Sequence, residues 1–125
     1  MKNHQPHYDL EERLIDFACN VIDIDDELPN NRVGNLPRGT NQLLRSGTAP
    51  ASHYGEAQSA ESRNDFVHKM KVALKELRES SVWLKIVKRR SLIATMDKVD
   101  SALKESDELI RIFVKSISTA ESRKA

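Results

Sequence analysis

A chain of 125 residues has room for one domain built around a single core. Charged residues make up 31% and apolar residues 38%, with four Gly, four Pro and no apolar run near the ~20 residues that span a bilayer. That balance excludes disordered, fibrous and membrane-spanning classes and fits a soluble protein rich in helix.

The formal net charge of +1 hides an asymmetry. Residues 9–28 carry eight acidic side chains and one basic, whereas residues 69–90 carry eight basic and two acidic. Opposed fields of this kind favour antiparallel or lateral pairing of the two segments, within one chain or between chains. The polar start MKNHQPHYDLEER is not a signal peptide, and Cys19, the single cysteine, can form no internal disulfide. The single cysteine agrees with a reducing cytoplasm. The acidic neighbours Asp16 and Asp23 argue against a reactive thiolate at Cys19.

The first predicted helix covers about residues 9–28, on the stripe Leu10, Leu14, Phe17, Val21, Ile24 and Leu28. Pro29 with Asn30 and Asn31 stops it. The second covers about 36–59, with Pro37 in its first turn and Leu43, Gly47, Pro50, Tyr54 and Ala57 on one face. Its middle, SGTAPAS, is nearly all small residues, which lets a neighbouring helix come close. Pro50 should kink this helix, and a break into two helices is the competing reading.

The third predicted helix, about 63–90, opens on Ser62 with Asp65 three positions on, an N-cap pattern. Phe66, Met70, Ala73, Leu77, Leu84 and Val87 mark its core stripe. Val72, Trp83 and Ile86 lie off that stripe, and apolar residues outside the core face point to self-association. The fourth, about 95–119, repeats Met96, Val99, Leu103, Ser106, Ile110, Phe113 and Ile117 in steps of three and four, and the tail TAESRKA should fray. No segment alternates as a strand does. Four helices with short connections predict an all-α, up-down-up-down four-helix bundle in a single domain over 1–125.

Chemistry is sparse. His53-x-x-Glu56 and Asp65-x-x-His68 have the spacing of metal ligands, and a di-metal bundle uses inward carboxylates with Glu-x-x-His pairs. His68, however, sits roughly 200° around the helix from Phe66, and the first and last stripes offer no inward Glu. There is no G-x-S-x-G elbow, no Cys–His pairing and no phosphate-binding glycine loop, so no catalytic, cofactor or metal site is assigned. The better candidate is a basic row, His68, Lys71, Lys75, Arg78, Lys85 and Arg89, projecting within roughly 100° of one another. Such a row could follow a phosphate backbone, or pair with the acidic first helix of a neighbouring copy.

The run NQLLRSGTAPASHYGEAQSAESRNDFVHKMKVALKELRES carries a resemblance. QLLRSGT, HYGEAQ, AESRNDF and KELRES, in this order and spacing, resemble the four-helix bundle proteins encoded in intervening sequences of bacterial 23S ribosomal RNA. The likeness is close over residues 41–93 and looser over LEERLIDFA. It implies a left-handed bundle and homo-oligomers, with ring-shaped pentamers the expected form. It also implies kinship with the accessory variability protein of diversity-generating retroelements, a branch that binds nucleic acid and a reverse transcriptase. By the same resemblance Arg45, Glu56, Glu76 and Glu79 would pair between helices or subunits. The expected role is a self-assembling, non-enzymatic scaffold or adaptor that contacts RNA or a ribonucleoprotein. A purely protein-binding adaptor and a metal-dependent bundle enzyme using His53, Glu56, Asp65 and His68 are the alternatives.

Overall fold

The computed structural model of the chain describes residues 6–123. The expectations for the polar start at residues 1–5 and for the last two residues of the tail lie outside them. Helices account for nearly all of the described chain, and no strand occurs among the described residues. They are α1 (Pro6–Glu27), α2 (Asn35–Arg38), α3 (Gln42–Gln58), α4 (Arg63–Arg89) and α5 (Met96–Ser122), with a 3-10 turn at Gly39–Asn41 between α2 and α3.

The second predicted helix is therefore not one helix. The break falls at Gly39–Asn41 and not in SGTAPAS, and α3 runs unbroken through Pro50. The backbone explains this. Gly39 is extended (φ −60°, ψ 132°), and Asn41 is left-handed at φ 56°, a conformation Asn tolerates better than most residues. The short α2 is tied back to α1 by Arg38, whose guanidinium donates to the carbonyls of Asp25, Leu28 and Pro29. A cation on the last carbonyls of a helix satisfies orphan acceptors and complements the dipole.

The long helices meet as α1 on α3, α3 on α4, α4 on α5, and α1 on α5. This leaves α1 and α4 across the bundle from one another. Between them lies a core of Leu14, Phe17, Val21, Ile24, Leu43, Met70, Leu77, Leu84, Val99, Leu109 and Phe113, all fully buried. Burying each such side chain contributes about 1.5–3 kcal/mol. Tyr54 is buried with them, its ring edge-on to Phe113 at 6.1 Å between centroids, and burial raises its pKa.

The predicted stripes of α4 and α5 hold at most positions, and single positions differ. Met70, Ala73, Leu77, Leu84 and Val87 are buried in the one, and Val99, Ser106, Phe113 and Ile117 in the other. In α5, Ala102 and Leu109 are fully buried while Leu103 and Ile110 flank the core. In α4, Val67 is buried and Phe66 only partly so. A helix with ~3.6 residues per turn drifts past a strict heptad, so a broad apolar face admits either register and packing selects one. The core also takes in three serines, Ser46, Ser80 and Ser106. Each donates its hydroxyl to the carbonyl three residues earlier, at 3.3, 2.8 and 2.9 Å, so none is buried unsatisfied.

Helix ends follow local chemistry. Ser62 Oγ accepts from the Asp65 amide at 3.0 Å, and Asp65 Oδ2 accepts from the Glu61 amide at 3.3 Å. One orphan donor of the first turn of α4 is thus satisfied, and Asp65 also ties down the residue before the cap. At its other end the Leu92 amide reaches Val87 O and the Ser91 amide reaches Lys88 O, both at 3.0 Å, with Ser91 left-handed at φ 49°. That is a Schellman ending with serine in the position glycine prefers. α5 continues to Ser122, beyond the expected 119.

Candidate functional site

The outward face of α4 is built by spacing. Lys71, Lys75, Arg78, Lys85 and Arg89 step by three, four and seven residues on the side away from the core, and all are exposed, as is His68. Lys71 Nζ contacts Glu121 at 3.0 Å. The other four cations of the row make no ion pair among the described residues. Val82, 55% exposed, fills the gap between Arg78 and Lys85, and Ile86 lies beside it. A groove where α4 meets α5 extends this surface: Arg78 shares it with Arg111, Val114, Lys115 and Ser118. Arg111 is held by Asp107, whereas Lys115 has no ion pair among the described residues. The contribution of α5 was not read from the sequence, because only tertiary packing brings Lys115 beside Arg78.

The outward face of α1 is the acidic counterpart. Glu12, Asp16, Asp23 and Asp26 are exposed, and between them Ile15 and Ile22, each 41% exposed, flank the exposed Cys19. Ile15 and Ile22 sit opposite the stripe of Leu14, Phe17 and Val21, which is the periodicity signal that could have singled them out. No ion pair joins α1 to α4 among the described residues. The acidic residues that do pair use α5. Glu27 accepts from Lys98 at 3.0 Å and from Thr95 at 2.9 Å, which holds its carboxyl below the usual range. The lone cation Arg13 forks onto Glu105 and reaches Glu108, each contact at 2.8 Å. The pairing of acidic and basic segments within one chain, one of two arrangements open at the sequence level, is absent among the described residues.

Arg45 Nη1 donates to both Glu76 oxygens at 3.0 and 3.1 Å, and its Nη2 contacts Glu79 at 3.3 Å, joining α3 to α4. Glu56 stands apart, 4.0 Å from His53 on its own helix. Of the three off-stripe apolar residues, Trp83 packs against the core and donates its indole N–H to Glu79 at 3.3 Å. Val72 is half-buried, and Ile86 is the one of the three that is exposed. His53, Glu56, Asp65 and His68 do not converge: Asp65 is committed to Lys69 at 2.8 Å, which holds its carboxyl below the usual range. Among the described residues no group of three or more His, Cys, Asp or Glu side chains is placed to hold a metal ion. Nor is any helix of the described chain long and apolar enough to cross a membrane.

Residues 8–115 match the family model described as 23S rRNA-intervening sequence protein. The chain belongs to the 23S rRNA-intervening sequence protein family. A crystal structure of a protein of unknown function from the S23 ribosomal protein family of Bacteroides thetaiotaomicron VPI-5482 is similar, at 27% identity and a TM-score of 0.72. The likeness covers 86% of this chain and 97% of that one. No curated protein matches the chain.

Proposed function

We propose that this member of the 23S rRNA-intervening sequence protein family is a non-enzymatic, self-assembling cytoplasmic bundle. It serves as a scaffold or adaptor whose α4 face contacts RNA or a ribonucleoprotein. The observation that carries the reading is the α4 row itself, in which Lys75, Arg78, Lys85 and Arg89 stand without carboxylate partners among the described residues. Cations left uncompensated along ~21 Å of one helix are free to release the counterions of a phosphate backbone. Lys115 at the α4–α5 groove widens the same field.

The helices are arranged up-down-up-down with a left-handed twist in this reading. The ion pairs Lys71–Glu121 and Lys88–Asp100 support it, since they join early α4 to late α5 and late α4 to early α5. Self-assembly is supported by the apolar side chains exposed on both charged faces, and five copies is the form the family resemblance implies. Kinship with accessory variability proteins of retroelements belongs to the same reading, as the family resemblance implies.

The test is binding of a single-stranded RNA against salt concentration. Wild type should bind at low salt with an affinity that falls linearly on a log–log plot, and Lys71→Glu/Lys75→Glu/Arg78→Glu should lose at least tenfold. Absence of binding at low salt, or an unchanged affinity in the triple variant, would remove RNA from the account.

A further inference from the structure

We infer that the α4–α5 basic groove is the seat of a second copy's α1, so that the subunits associate head to tail. This rests on the self-assembly reading above and assigns its two surfaces. Three observations converge on it. First, the two faces are complementary in charge: the exposed Glu12, Asp16, Asp23 and Asp26 of α1 against Arg78, Lys85, Arg89 and Lys115, which make no ion pair among the described residues. Second, each face carries exposed apolar side chains among its charges, Ile15 and Ile22 on one and Val82 and Val114 on the other, between 41% and 55% exposed. Apolar contact within a charged rim is the usual anatomy of an interface.

Third, the fold keeps the two faces apart. α1 and α4 each pack on α3 and α5 and lie on opposite sides of the bundle, so neither can neutralise the other within one chain. A two-fold dimer that set α1 on α1, or α4 on α4, would oppose like charges. Only a heterologous contact satisfies both faces, and such contacts close into rings or run on as filaments. The docking covers the same cations assigned to RNA, so assembly and RNA draw on one surface.

Reciprocal charge reversal tests this. One variant carries Arg78→Glu/Lys85→Glu and the other Asp16→Lys/Asp23→Lys, and each is sized by sedimentation velocity alone and in a 1:1 mixture. Neither variant should assemble alone, since the reversed side chains cancel the net charge of one face and set like charges against the other face at the altered positions. The mixture should assemble, because each variant's α1 then meets an opposite charge on the other's α4. That rescue also shows that both variants fold. Wild-type assembly together with assembly of either variant alone, or a mixture that stays monomeric, overturns the assignment of faces and leaves self-assembly standing. Wild type that is monomeric at low salt overturns self-assembly itself, and this inference with it.

Discussion

Gly47 marks the closest approach of α3 to α1. A Cβ built there would lie 2.6 Å from Val21 Cγ1 and 2.9 Å from Val21 Cβ, and Val21 is fully buried. Because the contact includes Cβ, no rotamer change at Val21 can relieve it. Gly47→Ala should therefore cost about 1–3 kcal/mol from overpacking, more than the roughly 1 kcal/mol that Ala gains over Gly in a helix. The urea midpoint should fall, and Val21→Ala in the same chain should return part of the loss. A rise in the midpoint would contradict the close approach. Small residues in SGTAPAS made a near neighbour legible, but which helix it was depended on the pairing of α1 with α3.

Asp25 carries a stability effect of the opposite origin. Its Oδ1 is buried and accepts no hydrogen bond among the described residues. Burial raises its pKa, Arg38 opposes the rise and Asp26 adds to it. The folded state then holds more protons than the unfolded one, so this group's contribution falls as pH rises from about 3.9 through the raised value. Asp25→Asn should be more stable than wild type at pH 7, with the difference vanishing below about pH 4. An unchanged difference across that range would refute the cause. Glu27 and Asp65, held low by Lys98 and Lys69, act in the reverse sense: their contributions exist above about pH 4 and are lost as pH falls further.

At the scale of elements, the start of α4 was readable because Ser62 and Asp65 act through local hydrogen bonds alone. Its end was not. Nothing in KRRSL announces a left-handed serine, and the Schellman bonds form because Leu92 turns back toward the core. Ser91→Gly should remove the left-handed cost and raise stability by about 0.5–1 kcal/mol after the loss of unfolded-state restriction. Thermal unfolding would show it as a higher midpoint, and a lower one would mean that the turn is not as described. The break at Gly39–Asn41 escaped reading for a related reason. Pro37 and Leu43 fit one continuous helix by periodicity, while the actual path is set by Arg38 reaching back to the end of α1. The stripe of α4 was legible in period and register apart from Phe66, whereas in α5 the choice between Leu103 and Ala102 was open, since both are compatible with a broad apolar face.

For the whole molecule, the charge asymmetry was plain in the sequence and its placement was not. The acidic and basic segments could have been neighbours, and the pairing of α1 with α3 and α5 separates them instead. The basic row was visible from helical spacing, whereas Lys115 and Val114 join it only through packing. What results is a bundle with an acidic, apolar-studded side and a basic, apolar-studded side. Electrostatic contacts between exposed faces weaken as salt shortens the screening length to ~10 Å at 0.1 M and ~3 Å at 1 M. The most direct measurement is the mass of the purified wild-type protein by light scattering at tens of micromolar, across a salt series. The account predicts a multiple of the 14.2 kDa chain at low salt that declines toward the single chain as salt rises. A mass of one chain at every salt concentration would contradict it.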